Sequence, residues 1–331
     1  MTWRTFGTAR RVSTVVALGV GMIALATGCA SSTPLPVFVA APSPSGLPSS
    51  APSPTPSSAP SPASPSPAAS VSVPAGATAG IAVFDRQTAT FTEQRQATRQ
   101  FRSASLVKLL IALDYLWTRG PGYAIPATDR ARFDLMLRSS DDNAASSFWN
   151  SDGREQIVTR MVGRLGLQNT APPSAVGKTG WGSTALSAAD VVRIYRYVLD
   201  SAPAPVREAI MGNLRQSTPC GTDHYDQSFG IPSAFNRPWA VKQGWYGFGD
   251  NPTQPCTTNA GAALRIPAAV PASILTGEVL HTTGVVGADD RVIVVVLTQH
   301  PPGHPFSEVS ATVTRLVRSL RIPGAAQKPG G

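Results

Sequence analysis

The chain has 331 residues, of which 42% are hydrophobic and 14% charged, with a mean hydropathy of -0.01 and a formal net charge of +9. That suits one good-sized globular domain with added segments. There is no Lys/Arg run, no basic patch interleaved with aromatics and no zinc-finger spacing, so the usual classes of nucleic-acid binder are excluded.

Charge is unevenly spread, and none occurs between Arg11 and Asp85. Arg4, Arg10 and Arg11 precede the apolar run VSTVVALGVGMIALATGCASS, which is short and Gly-rich for a permanent span. The Arg10-Arg11 pair is also compatible with twin-arginine export. The run ends in Leu25-Ala26-Thr27-Gly28-Cys29 and resembles the lipobox of bacterial lipoproteins, with Ala26 where leucine is usual. That resemblance implies a signal peptide over 1–28 and a diacylglyceryl group on Cys29. The protein would then be exported and held on the outer face of the cytoplasmic membrane. A plain secretory signal or an N-terminal anchor helix is the alternative. Loss of the leader leaves a charge of +6, compatible with weak attraction to anionic envelope polymers. Residues 29–73 are rich in Pro, Ser and Ala and read as an extended tether. With Cys29 assigned to lipid, Cys220 and Cys256 remain, and a chain leaving the cytoplasm can join them as a disulfide. Two free buried thiols are the alternative.

The folded domain is expected over 74–323, with 324–331 as a flexible tail. AGIAVFD and TATFTEQ flank a DRQT turn and read as a hairpin. SASLVKLLIALDYLW (103–117) reads as a helix apolar on almost every face, and such helices are buried. A mostly helical stretch follows over 129–215, in which Ser187 and Asp190 make a capping box. PWAVKQGWYGF, GEVLHTTGVVG and RVIVVVLTQ read as strands, and FSEVSATVTRLVRSLR as a closing amphipathic helix. Strands at both ends with helices between define an α+β class: an antiparallel sheet flanked by helices, with a helical lobe.

The one cation at the start of the apolar helix is Lys108, three residues after Ser105. Residues i and i+3 share a helix face, so amine and hydroxyl can meet. Apolar neighbours strip solvation from a charged lysine and suit it to accept a proton from serine. A helix start also favours developing negative charge. The plainer reading makes Ser105 an N-cap and lets Lys108 reach solvent.

Two more stretches bear on that choice. MLRSSDDNAASSFW (136–149) and the lysine motifs, taken with Ser105-Leu106-Val107-Lys108, resemble the S-x-x-K, S-D-N and K-T-G trio of penicillin-recognising serine enzymes, the class A β-lactamases and D,D-peptidases. The resemblance spans about residues 76–322. Aligning on the paired alanines puts Ser140-Asp141-Asp142 on S-D-N, while a one-residue shift brings in Asn143. SSDDN also suits a plain helix cap. Lys178-Thr179-Gly180 is a literal K-T-G, but in a loop. Lys242-Gln243-Gly244 lies in a strand of the last third, the setting such a motif requires, and is preferred.

The resemblance then implies Ser105 as nucleophile, Lys108 as its base, Ser140 as proton relay to a leaving nitrogen and Lys242 as electrostatic support. Asp142, Gln243, Gly244 and Trp245 would line the substrate side, Gly244 leaving room at the strand edge, with the N–H groups of Ser105 and Trp245 as oxyanion hole. The implied partner is a β-lactam or a peptidoglycan stem peptide, with no metal and no cofactor. Gln243 replaces the usual hydroxyl residue. Class A enzymes deacylate through a loop glutamate, yet LQNTAPPSAVGKTGWGST contains no carboxylate, and Asp152 and Glu155 come too early. Turnover is therefore expected to be slow, and a non-catalytic wall-binding lipoprotein is the alternative reading. His300 and His304 are separated by Pro-Pro-Gly and make a poor metal pair. His281 falls in a strand. Trp245 and Tyr246 suit either ligand stacking or the core.

Overall fold

The computed structural model describes residues 72–249, 252–257 and 277–329. The expected signal peptide, Cys29 and nearly all of the tether lie outside the described residues. No helix among the described residues is long and apolar enough to cross a membrane.

β1 (Thr78–Asp85) and β2 (Thr90–Arg95) form the opening hairpin, and β3 (Gln100–Arg102) leads into a 3-10 turn, Ala104–Val107. The helices α1 (Lys108–Trp117), α2 (Ala127–Arg138), α3 (Asp142–Ser151) and α4 (Glu155–Leu165) follow. After a loop come β4 (Ala185–Ser187), α5 (Ala188–Arg196) and α6 (Ala204–Arg215). The last third holds the single-turn α7 (Ile231–Ala234), β5 (Trp239–Tyr246), β6 (Glu278–Val286), β7 (Val292–His300) and α8 (Phe306–Ser319). The main sheet is antiparallel in the order β2-β1-β7-β6-β5, and β3 pairs with β4 separately.

Both faces of this sheet are covered. Ile293, Val295 and Leu297 of β7 pack into the core with α1 and α5, while Val292, Val294 and Val296 pack with α8. Burial on both faces explains the unbroken apolar run of β7. α8 presents Val309, Val313, Leu316 and Val317 to the sheet, the i, i+4, i+7, i+8 stripe of an amphipathic helix. α1 is enclosed: every residue from Lys108 to Leu116 is buried. Its one acid, Asp114, is fully buried and accepts from Arg160 of α4 at 2.9 and 2.5 Å.

The expected tail is not separate from the domain. Asn236 N–H donates to the Ala326 carbonyl at 2.9 Å and Lys328 N–H to Ala234 at 2.8 Å. Unpaired backbone at 234–236 would be costly to leave beside the core, and residues 326–328 satisfy it.

Candidate active site

α1 begins where the 3-10 turn ends, so Ser105 sits on the turn and Lys108 on the first helical residue. Lys108 is fully buried, and its Nζ donates to Ser105 Oγ at 2.9 Å, to the Ser140 carbonyl at 2.5 Å and to Asp142 Oδ1 at 2.7 Å. Ser140 Oγ lies 3.3 Å away. Ser140 is reached from the other side by Lys242 of β5, whose Nζ donates to Ser140 Oγ at 2.8 Å and to the Gln243 carbonyl at 2.9 Å. Ser105, Lys108, Ser140 and Lys242 thus form one continuous hydrogen-bonded chain. Both serines are nearly closed off, at 6% and 5% exposure.

Local backbone aims these groups. Ala104 (φ +45°) and Ser140 (φ +56°) adopt the left-handed conformation that disfavours non-glycine residues. Asp141 caps α3, accepting from Ala144 N–H at 2.6 Å. With that cap setting the start of α3, it is the Asp142 carboxylate that meets Lys108. Asn143 is one step further round α3 and exposed. A loop at 216–230 braces the Ser140 turn: Thr222 N–H donates to the Ser139 carbonyl at 2.9 Å, and Gln227 Nε2 to the Arg138 carbonyl at 2.7 Å. Cys220 and Cys256 are joined by a disulfide that ties this loop to the segment after β5.

The two lysines differ in surroundings. Burial, then the neighbouring Lys108 charge, pushes Lys242 well below the usual lysine range. Lys108 has the Asp142 carboxylate beside it, and the ring of Trp181 lies 4.8 Å from its Nζ. Trp181 comes from the loop between α4 and β4 and is pinned by its Nε1–H to Ser146 Oγ at 3.1 Å. Nothing in the sequence singled it out. An aromatic in a Gly-rich loop gives no periodicity from which to read its neighbours.

Two expectations are corrected. Gln243 does not face the substrate side. Alternation along β5 sends Lys242 one way and Gln243 the other, where its Nε2 donates to the carbonyls of Phe229 at 2.7 Å and Gln227 at 3.1 Å. Gly244 does not leave an open strand edge either. A Cβ there would stand 3.1 Å from the Ser103 carbonyl oxygen and 3.3 Å from Leu106 Cγ, so the missing side chain lets the Ser105 turn seat against β5. The Trp245 side chain follows Gln243, with Nε1 donating to Asp223 at 2.8 Å and the ring packed near Phe306 and Tyr225.

Lys178 lies in the loop, its backbone N–H bonded to Pro173, with no strand around it. Glu155 is occupied by Ser174, whose N–H and hydroxyl both donate to it. Asp152 lines an open depression with Thr118, Arg119, Ser151 and Arg160. Asp190, capped by Ser187, accepts from Gln168 N–H, Asn169 N–H and Thr170 Oγ, anchoring the start of the loop. His281 is saturated, accepting from Thr298 N–H at 3.1 Å and reaching the Arg102 carbonyl at 2.7 Å, and burial lowers its pKa to about 4. His300 bonds Thr298 Oγ, and His304 faces Glu308. No cluster of three or more His, Cys, Asp or Glu able to hold a metal occurs among the described residues.

This antiparallel sheet with helices on both faces is the β-lactamase-like fold. An ancestral class A β-lactamase of Gram-negative bacteria superposes with a TM-score of 0.52 at 14% identity, over 74% of this chain and 93% of that one. The protein PBP-A gives 0.53 at 14%, over 75% and 90%. A single-substitution mutant of PBP-A, solved as an acyl-enzyme complex with penicillin G, gives 0.53 at 13%, over 74% and 89%. No family model matches. At the sequence level the chain is 36% identical over 250 residues to proteins of Mycobacterium tuberculosis and Mycobacterium bovis named "Putative lipoprotein LppW", covering 74% of this chain and 70% of theirs. The chain belongs to that LppW family.

Proposed function

We propose that this protein is an exported, lipid-anchored serine acyl hydrolase of the β-lactamase and penicillin-binding type, tethered to the membrane through Cys29. The observation that carries this reading is the hydrogen-bonded chain from Ser105 through Lys108 and Ser140 to Lys242. Ser105 Oγ attacks the carbonyl of a β-lactam or a D-Ala-D-Ala-like peptide and gives its proton to the lysine pair. The oxyanion rests on the N–H groups of Ser105 and Trp245. Ser140 passes a proton to the leaving nitrogen as the C–N bond breaks, leaving an ester on Ser105. Water then hydrolyses that ester. No acid occurs between Glu155 and Asp190, Glu155 is held by Ser174, and Asp190 is fully buried, so this second step is slow. The relatives' lipoprotein name supports the anchor and the export.

A non-catalytic wall-binding role has one observation in its favour, the Lys108–Asp142 ion pair, because the carboxylate competes with Ser105 for the lysine. Labelling with a fluorescent penicillin separates the two. A covalent band lost in Ser105→Ala supports the enzyme. No band, or one that survives the substitution, removes Ser105 from the chemistry.

A further inference from the structure

We propose that Arg102 and Tyr246 form a subsite for a carboxylate on the acyl side of the substrate, so that the preferred acyl donor carries an anionic group close to the scissile carbonyl. The proposal rests on the Ser105 acyl-enzyme reading above. Arg102 ends β3, three residues before Ser105, and is only 6% exposed. Among the described residues no carboxylate pairs with its guanidinium, and its Nε is buried without a hydrogen-bond partner. Taking a cation out of water without a counter-ion is costly, and buried arginines are normally paired. Its side-chain partner is Tyr246, a neutral group that bonds the guanidinium and whose ring centroid lies 3.5 Å from the guanidinium carbon, so the positive charge has no counter-charge there. The backbone there is fixed, since the Arg102 carbonyl is bonded by His281 at 2.7 Å.

The position gives the subsite its direction. Lys242, Gly244 and Tyr246 alternate onto one side of β5. Lys242 meets Ser140, Gly244 lies against Ser103 and Leu106, and Tyr246 meets Arg102. The order along the strand is leaving-group relay, nucleophile turn, then a cation without a counter-ion. A scissile bond with its nitrogen at Ser140 sends its acyl substituent the opposite way, toward Tyr246, about 13 Å along the strand from Lys242. The planar fork of arginine matches a carboxylate in two parallel hydrogen bonds.

The test compares benzylpenicillin with carbenicillin, which adds a carboxylate on the side-chain carbon next to the amide. Rates of Ser105 adduct formation on the full chain are read by mass. Carbenicillin is expected to react about tenfold faster or more. Arg102→Gln should bring the ratio of the two rates to within about twofold, and Arg102→Lys should keep part of the preference. The ratio is taken within each variant, so a variant that folds less well still reports. If Arg102→Gln does not fold, the wild-type ratio and Arg102→Lys decide. Equal rates in the wild type, or a preference that survives Arg102→Gln, overturns the subsite. If neither drug reacts at Ser105 in the wild type, the acyl-enzyme reading falls and the subsite with it.

Discussion

Both lysines reach the Ser140 hydroxyl, at 3.3 and 2.8 Å, but among the described residues only Lys108 forms an ion pair with a carboxylate. Asp142 is 67% exposed at its side chain, so water screens this pair and its hold on the ammonium is modest. Asp142→Asn should therefore speed penicillin acylation several-fold at pH 7, followed as adduct formation; an unchanged or lower rate would show that Asp142 does not restrain Lys108. Lys242 forms no ion pair among the described residues; Asp142 and Asp223 act on it only at longer range, and burial with the Lys108 charge outweighs them, so its pKa lies well below the usual lysine range. A base works only above its pKa, so the acylation rate should rise with pH along a limb well below the usual lysine range. Lys242→Ala should cut the rate about a hundredfold and abolish that limb. At this scale the sequence was legible where spacing alone decides contact, as for Ser105 and Lys108 at i and i+3. It was not legible where strand alternation decides, as for Gln243, or where two distant segments meet, as for Trp181 over Lys108.

β5 and the turn at 104–107 act as one unit, and Gly244 is where they touch. Gly244→Ala introduces a methyl 3.1 Å from the Ser103 carbonyl oxygen, against backbone that cannot swing aside. The turn must move by a few tenths of an ångström. With Ser105 as the proposed nucleophile, displacing it costs rate more than packing, so acylation should fall about tenfold or more while the melting temperature drops by only a few degrees. A large loss of stability with an unchanged rate would contradict that reading of Gly244. Elements were readable from the chain where patterns are strong. The apolar run of β7, the capping box at Ser187 and the stripe of α8 each have one physical solution. The docking of 326–328 on 234–236 was not readable, because two short polar segments pair through backbone groups that every residue carries.

For the molecule as a whole, two features outside the chemistry set stability. The Cys220–Cys256 bond spans 36 residues, and closing such a loop is worth about 3–4 kcal/mol in the chain-entropy account. Replacing both cysteines by alanine should lower denaturant stability by about 2–4 kcal/mol. It should also slow acylation, because the loop at 216–230 braces the Ser140 turn. His281, with a pKa of about 4, binds no proton in the native state where the unfolded chain, near 6.5, does. Its contribution is whole above 6.5 and lost as pH falls toward 4, on the order of 3 kcal/mol; denaturant midpoints measured between pH 7 and 4.5 should fall accordingly. The central claim concerns Ser105. The full chain, incubated with penicillin and followed by intact mass beside Ser105→Ala, tests it most directly. An adduct of one penicillin that persists for many minutes and is missing from Ser105→Ala is the predicted result. No adduct on the wild-type chain, or an equal adduct on Ser105→Ala, would contradict it.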